Sequence, residues 1–479
     1  MDPYERRDDR AEGGFESPLD RSRALPHSDA SARLQGRDNA VAEMAGEFGA
    51  ELVRAIRAGL AQGNGSAHGS RGPSQLSWYA FATEYARAHW PGRAAKTRDE
   101  VSEALTAITM AMFWDVPGRP NEQVLRRALR HWAFVVSGPG QGELPAEDRL
   151  VLQWVAKASR PLVDLHDPVL AREVLESLRR KLDGGEAAVE TMRRKRKVLV
   201  HALHYAVERG ELGSHPLHRV RWRVPKPAVA VDPRVVANPH QARDLLTAIS
   251  YVGGYRRARG RRLVGLFAGM YYAGLRPEEA IAVALPDCRL PANGWGRLIA
   301  HRTLPQAGKR WTDTGRLHDE RGLKNRPPGE TRVVPLPPHL VALWRDSVAT
   351  FGTADDGRLF FTESGGIIGY TTYHRVWHES RALALSPALA GTPLARRPYD
   401  LRHSALSTWL CAGADPAEVA QRAGNSVEVL LSRYAKCLYD RQSINNQRIE
   451  SLLSAYDQPP EPTEAHEEPG VSDTERPEQ

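Results

Sequence analysis

Between Tyr399 and Cys437 the chain reads YDLRHSALSTWLCAGADPAEVAQRAGNSVEVLLSRYAKC, a stretch that holds a guanidinium, an imidazole, an amide and a phenol in Arg402, His403, Asn425 and Tyr434. A guanidinium offers forked donors to an oxyanion. A phenol at its ordinary pKa of about 10 is a poor nucleophile, and it attacks only where a charged pocket and a proton acceptor are supplied. Local signals predict three short helices to hold these groups. Leu401, Ala405, Trp409 and Leu410 make one buried face, and Gly413 ends that helix. Asp415, Pro416 and Glu418 start the next as N-cap, first-turn proline and capping-box acid. Gly424 ends it, and Ser426 caps a third helix that carries Tyr434 two turns in. Tight turns between such helices bring Arg402, Asn425 and Tyr434 toward one another.

The stretch resembles the C-terminal catalytic motif of the tyrosine recombinase and phage integrase family, in words His-x-x-Arg-His, a Gly-His pair, and a tyrosine nine residues on. Here Asn425 follows Arg402 by 23 residues and Tyr434 follows Asn425 by nine, as the motif requires. Upstream, AGLRPEEAIAVALPD from Ala273 to Asp287 is similar to the family's first box, with Arg276 and Glu279 in the matching places. Between the boxes, LKNRPPGETRVVPL from Leu323 to Leu336 is similar to the family's lysine hairpin and its Arg-x-Val-Pro-Leu strand. Lys324 is the matching lysine, with Lys309 and Arg326 as competitors, and the Pro-Pro-Gly turn lengthens the hairpin. The overall style is similar to integrases of bacterial mobile elements.

The resemblance implies a site-specific recombinase that integrates or excises DNA through a 3′-phosphotyrosine at Tyr434. Arg276 and Arg402 would neutralise the five-coordinate phosphorus, and Lys324 would protonate the departing 5′ oxygen. Glu279 would orient Arg276 along one helix face. The phosphodiester energy stays in the enzyme link, so no ATP, metal or cofactor is expected, and neither a P-loop nor a carboxylate cluster is legible. Two positions depart from the motif. Tyr399 stands at the first histidine, where it is either a site residue or an aromatic packing residue. Asn425 stands at the Gly-His histidine, where its amide can donate a hydrogen bond but shuttle no proton. His403 is either a hydrogen-bonded core residue or a chemical one.

The rest of the chain must place these groups. Its 479 residues suffice for two or three domains, and its net charge of +8 conceals a stronger asymmetry. Residues 457–479 hold eight acidic side chains and one arginine, which leaves +15 on residues 1–456. That excess suits a polyanionic partner. Residues 1–73 read as a polar, linker-rich extension in which only Val41 to Leu60 has helical spacing, and 74–225 as a helical domain similar to the family's core-binding domain. Its last helix carries Arg193, Arg194, Lys195, Arg196 and Lys197, a run read either as a solvated face or as a grip on DNA phosphates. Residues 226–238 read as an extended linker, 239–456 as the catalytic domain with short strands near 298–304 and 331–336, and 457–479 as an acidic disordered tail.

The expected fold class is mainly α with a small antiparallel β-sheet, a helical core-binding domain joined to an α/β DNA breaking-rejoining domain. Cys288, Cys411 and Cys437 form no CxxC pair, so neither a disulfide framework nor a zinc site is expected, and His201 and His204 read as ordinary residues of a basic helix. No run of about 18 apolar residues is present, and a cytoplasmic protein without a membrane partner is expected. The resemblance further implies double-stranded attachment-site DNA as partner, a homotetramer on paired sites, and room for an accessory directionality factor. Two competing readings are a catalytically impaired DNA-binding protein of the same fold and a type IB topoisomerase-like relaxer.

Overall fold

The structure, a computed structural model, describes residues 76–456 apart from 137, 182–183, 226–229, 254–257 and 440–441. The expectations for residues 1–73 and 457–479 lie outside the described residues. Two large apolar cores organise the chain, one built from Trp78 to Trp222 and one from Ala237 to Leu401.

The first core is wholly helical. Helices α1 (Trp78–Ala88), α2 (Ala95–Ala111), α3 (Glu122–Ala128), α4 (Ala146–Ala158), α5 (Pro168–Ser177) and α6 (Val189–Glu208) surround it. Trp78, Phe81 and Tyr85 recur at helical spacing on α1 and are all buried. The three buried indoles of this core satisfy their N–H groups as they leave water: Trp78 donates to Thr109 Oγ1 at 2.9 Å, Trp154 to the Pro117 carbonyl at 3.1 Å and Trp222 to Glu176 Oε1 at 2.8 Å.

The chain reaches the second core through residues expected to be extended. Instead, Asp232 caps a one-turn 3₁₀ helix, Pro233–Val235, because its carboxylate accepts from Arg234 N at 3.0 Å and Pro233 supplies the fixed φ of the first turn. Val231 N donates to the Arg433 carbonyl at 2.8 Å, so this segment lies along the helix that carries Tyr434.

Helices α7 (Pro239–Ile249), α8 (Ala258–Tyr272), α9 (Pro277–Ala282), α10 (Pro338–Phe351), α11 (Tyr370–Ala384) and α12 (Pro387–Ala390) build the second body around a three-stranded antiparallel sheet. The strands are β1 (Cys288–Arg289), β2 (Gly296–Ala300) and β3 (Arg332–Leu336), with Leu298 opposite Val334. Helix α8 meets α10 closely because Gly265 has no Cβ: one there would run into Phe360, while Trp344 Nε1 donates to the Gly265 carbonyl at 3.0 Å. The strands expected near 298–304 and 331–336 are β2 and β3, joined by residues 301–331, and the Lys324 stretch, 323–331, lies in turns at the end of that connection. Isolated bridges Thr303–Arg321 and Gln306–His318 zip the start of that connection. Its far end docks on the helical body, where buried Arg98 grips Asp313 at 2.7 and 3.1 Å and the Trp311 carbonyl at 2.9 Å.

Four helices complete the chain: α13 (Asp400–Cys411), α14 (Pro416–Ala423), α15 (Val427–Tyr439) and α16 (Gln442–Tyr456). The expected caps are present at Asp415, which accepts from Ala417 N and Glu418 N, and at Ser426, which accepts from Val429 N. Glu418 does not complete a capping box; it pairs with Arg422 one turn on. The fold is mainly α with a small antiparallel sheet, as expected.

Candidate active site

Gly274 turns the chain from α8 into α9 with φ +60, and Arg276 follows as the N-cap. A Cβ on Gly274 would press on Trp409 and Leu406, so only glycine allows this turn against α13. Glu279, in the first turn of α9, holds Arg276 twice. Its Oε2 accepts from Arg276 N at 2.9 Å and its Oε1 from Arg276 Nη1 at 2.7 Å. Glu279 thus contacts both the backbone and the side chain of Arg276.

A residue without an expected role completes this arrangement. Arg332, at the start of β3, forks onto Glu279 with Nη1 to Oε1 at 3.0 Å and Nη2 to Oε2 at 2.8 Å, both side chains almost fully buried. Burial alone would raise the Glu279 carboxyl, yet Arg332, then Arg276 and Arg402, hold it down to about 2. The signal for Arg332 was its place in the Arg-x-Val-Pro-Leu strand. Gly424 closes α14 in the left-handed conformation, φ +64, and a Cβ there would collide with the Arg332 guanidinium.

Arg402 enters from the first turn of α13 and is buried. Its Nη1 donates to the Gly274 carbonyl and its Nη2 to the Ala423 carbonyl at 2.7 Å. Burial, and next the charge of Arg276, lower its pKa. Arg276 stays firmly charged: burial opposes this, but the Glu279 carboxylate outweighs it and raises the pKa. The two guanidiniums meet at Asn425, whose Oδ1 accepts from Arg276 Nη2 at 3.0 Å and Arg402 Nη2 at 3.2 Å. Arg276 Nη2 also reaches the Gly424 carbonyl at 2.8 Å. Asn425 thus turns its oxygen to the arginines, and Nδ2 is the donor end of the amide.

Tyr434 is buried on α15, at a break where its own backbone leaves helical geometry (φ −112, ψ 16). Its hydroxyl lies 2.8 Å from His403 Nδ1, and the two residues are 31 apart in the chain. Burial, followed by the charges of Arg397, Arg402 and Arg433, lowers the His403 imidazole to about 4. Tyr399 stands half-buried beside both guanidiniums, and its ring meets His403 edge-on at 5.1 Å. It is at once a packing residue and a neighbour of the charged cluster.

Two expectations are placed elsewhere. Lys324 is exposed on a turn and lines a cleft of about 970 Å³ between the two bodies, with Arg193, Arg196, Lys197 and Trp222 across from it. The basic run does not act as one surface. Lys195 is buried against Glu103 at 3.2 Å and the Arg180 carbonyl, and Arg194 pairs with Glu100 and Glu103. Five adjacent residues wind around a helix, so Lys195 turns inward while Arg193, Arg194, Arg196 and Lys197 line the cleft, Arg194 with its charge already paired to the acids of α2.

No family model matches the sequence, and no curated protein sequence does. Solved structures that overlap with it are integrases and a site-specific recombinase. The Tn1549 transposon integrase in complex with transposon right end DNA is 15% identical, with a TM-score of 0.47 over 79% of this chain and 100% of that one. The XerH site-specific recombinase bound to difH substrate is 13% identical, with a TM-score of 0.44 over 81% and 99%. A lambda integrase dimer bound to a COC′ core site is 11% identical, with a TM-score of 0.48 over 81% and 86%. Each is a partial overlap of chain traces at low identity. Among the described residues, no group of side chains is arranged to hold a metal ion and no helix is long and apolar enough to cross a membrane.

Proposed function

We propose that this chain is a tyrosine-type site-specific recombinase that cleaves and rejoins double-stranded DNA through a 3′-phosphotyrosine at Tyr434, in the integration or excision of a mobile element. The observation that carries the reading is the convergence of Arg276 and Arg402 on the Asn425 amide, with the Tyr434 hydroxyl held on the adjoining helix by His403. Two fixed guanidiniums suit the charge of a five-coordinate phosphorus, because their donors are set before the reaction begins. Bound to Glu279 and to backbone carbonyls, they need little reorganisation when a phosphate arrives.

Residues 74–225 would form the core-binding part, 226–238 the link and 239–456 the catalytic part. DNA would run along the interdomain cleft, gripped through its phosphates by Arg193, Arg196 and Lys197. Lys324 lines the same cleft and would supply the proton for the departing 5′ oxygen. Four protomers would act on paired sites, with an accessory directionality factor as an optional partner and the cytoplasm as the place of action.

A nicked suicide substrate carrying the attachment site tests the reading. The wild-type chain should form a covalent protein–DNA adduct, and Tyr434→Phe should bind equally well and form none. Binding without an adduct by the wild-type chain would make it a DNA-binding protein on a recombinase-like fold. An adduct that persists in Tyr434→Phe would place the nucleophile elsewhere.

A further inference from the structure

We propose that His403 is the proton acceptor for Tyr434, a catalytic role that deepens the recombinase reading and rests on it. Of the three histidine positions in the motif, only the one after the arginine holds a histidine, His403; Tyr399 and Asn425 stand at the other two, and neither is a base near neutral pH. Yet an attacking phenol must lose its proton. The His403 imidazole touches the atom concerned, Nδ1 to Oη at 2.8 Å, inside a pocket that leaves His403 7% and Tyr434 2% exposed. Bulk water is poorly placed to compete for that proton.

The surroundings set when the transfer occurs. Arg397 faces His403 from the loop before α13, Arg402 from its own helix and Arg433 from α15, and Asp400 partly answers Arg397 at 3.1 Å. The phenols of Tyr399 and Tyr434 are its ring neighbours. Without DNA, burial and then this excess of positive charge keep the imidazole neutral, which is the form with an open lone pair. A phosphodiester seated on Arg276 and Arg402 brings negative charge, which grows as the fifth oxygen binds, and the proton affinity of His403 rises with it. The base is therefore strengthened by the substrate it serves.

The step balances. A bond forms between Tyr434 Oη and phosphorus, the bond from phosphorus to the 5′ oxygen breaks, the phenol proton passes to His403 Nδ1, and the 5′ oxygen takes a proton from an ammonium or water in the cleft. Rejoining reverses each transfer, with the imidazolium returning its proton to the tyrosine oxygen.

Single-turnover cleavage of the nicked substrate by the full chain, followed from about pH 6 to 9, tests this. His403→Asn puts an amide near the place of Nδ1, so it can hold the tyrosine without basicity. It should bind DNA as wild type and cleave roughly 10²- to 10³-fold more slowly at pH 7, the usual range for loss of a general base being 10²- to 10⁴-fold. Its rate should rise about tenfold per pH unit toward the phenol pKa of about 10, while the wild-type rate stays level. His403→Gln, with a longer reach, should behave alike. A variant as fast as wild type, or slow with a level pH profile, would overturn the role. So would a wild-type rate that itself rises tenfold per unit, a result that needs no folded variant. Failure of the wild-type chain to form any adduct would instead strike the recombinase reading.

Discussion

Arg276 and Arg402 share one acceptor, the Oδ1 of Asn425, although 126 residues of chain separate them. An oxygen between two guanidiniums marks the place where an anion's oxygen is stabilised, and Asn425 both marks that place and presents its NH₂ group beside it. Removing the amide with Asn425→Ala deletes one preorganised donor and should slow cleavage by roughly 10²- to 10³-fold, with DNA affinity nearly unchanged. Asn425→Asp should be slower still, because a carboxylate would pair with both arginines and compete with the phosphate. The same variant should melt at a higher temperature than wild type. Single-turnover rates and thermal melts of the two variants check both statements, and an alanine variant at the wild-type rate would reduce Asn425 to a turn residue.

Arg332 lies underneath this arrangement and acts through Glu279. Its removal leaves a buried carboxylate with one cation where it had two, a defect of the kind that typically costs about 3–5 kcal/mol. Arg332→Met should therefore lower the urea midpoint markedly, and Arg332→Lys should recover part of the loss because the charge is kept but the fork is not. If Arg332→Met unfolds at the wild-type midpoint, Glu279 is adequately held by Arg276 alone.

The basic run of α6 divides by function. Neutralising Arg193, Arg196 and Lys197 together should weaken binding on every DNA sequence and reduce the slope of log affinity against log salt by about 3, near 0.9 for each phosphate left without its cation. Lys195→Met should leave that slope unchanged and alter stability instead, since its ammonium is buried on Glu103. Fluorescence anisotropy across a salt series separates the two classes. An equal slope change for Lys195 would mean that α6 re-docks on DNA.

Short-range order was legible in the amino-acid sequence by itself. Asp415 with Pro416, Gly424 and Ser426 punctuate α14 and α15 through bonds that reach only a few residues, so their types suffice to place the helix ends. The boxes that hold Arg276, Glu279, Arg402, Asn425 and Tyr434 likewise resembled those of one family, and that resemblance implied one chemistry. The tertiary structure decided what depends on elements crossing in space. It turned Lys195 inward because α2 brings Glu103 against that face of α6, and it left Lys324 on a cleft wall because the long β2–β3 connection folds away toward Arg98. It assigned Arg332 its task across 53 residues and His403 its contact with Tyr434 across 31. A sequence pattern reports neighbours along one helix or strand; contacts between α13, α15 and β3 follow from how buried charges find partners once those elements have packed.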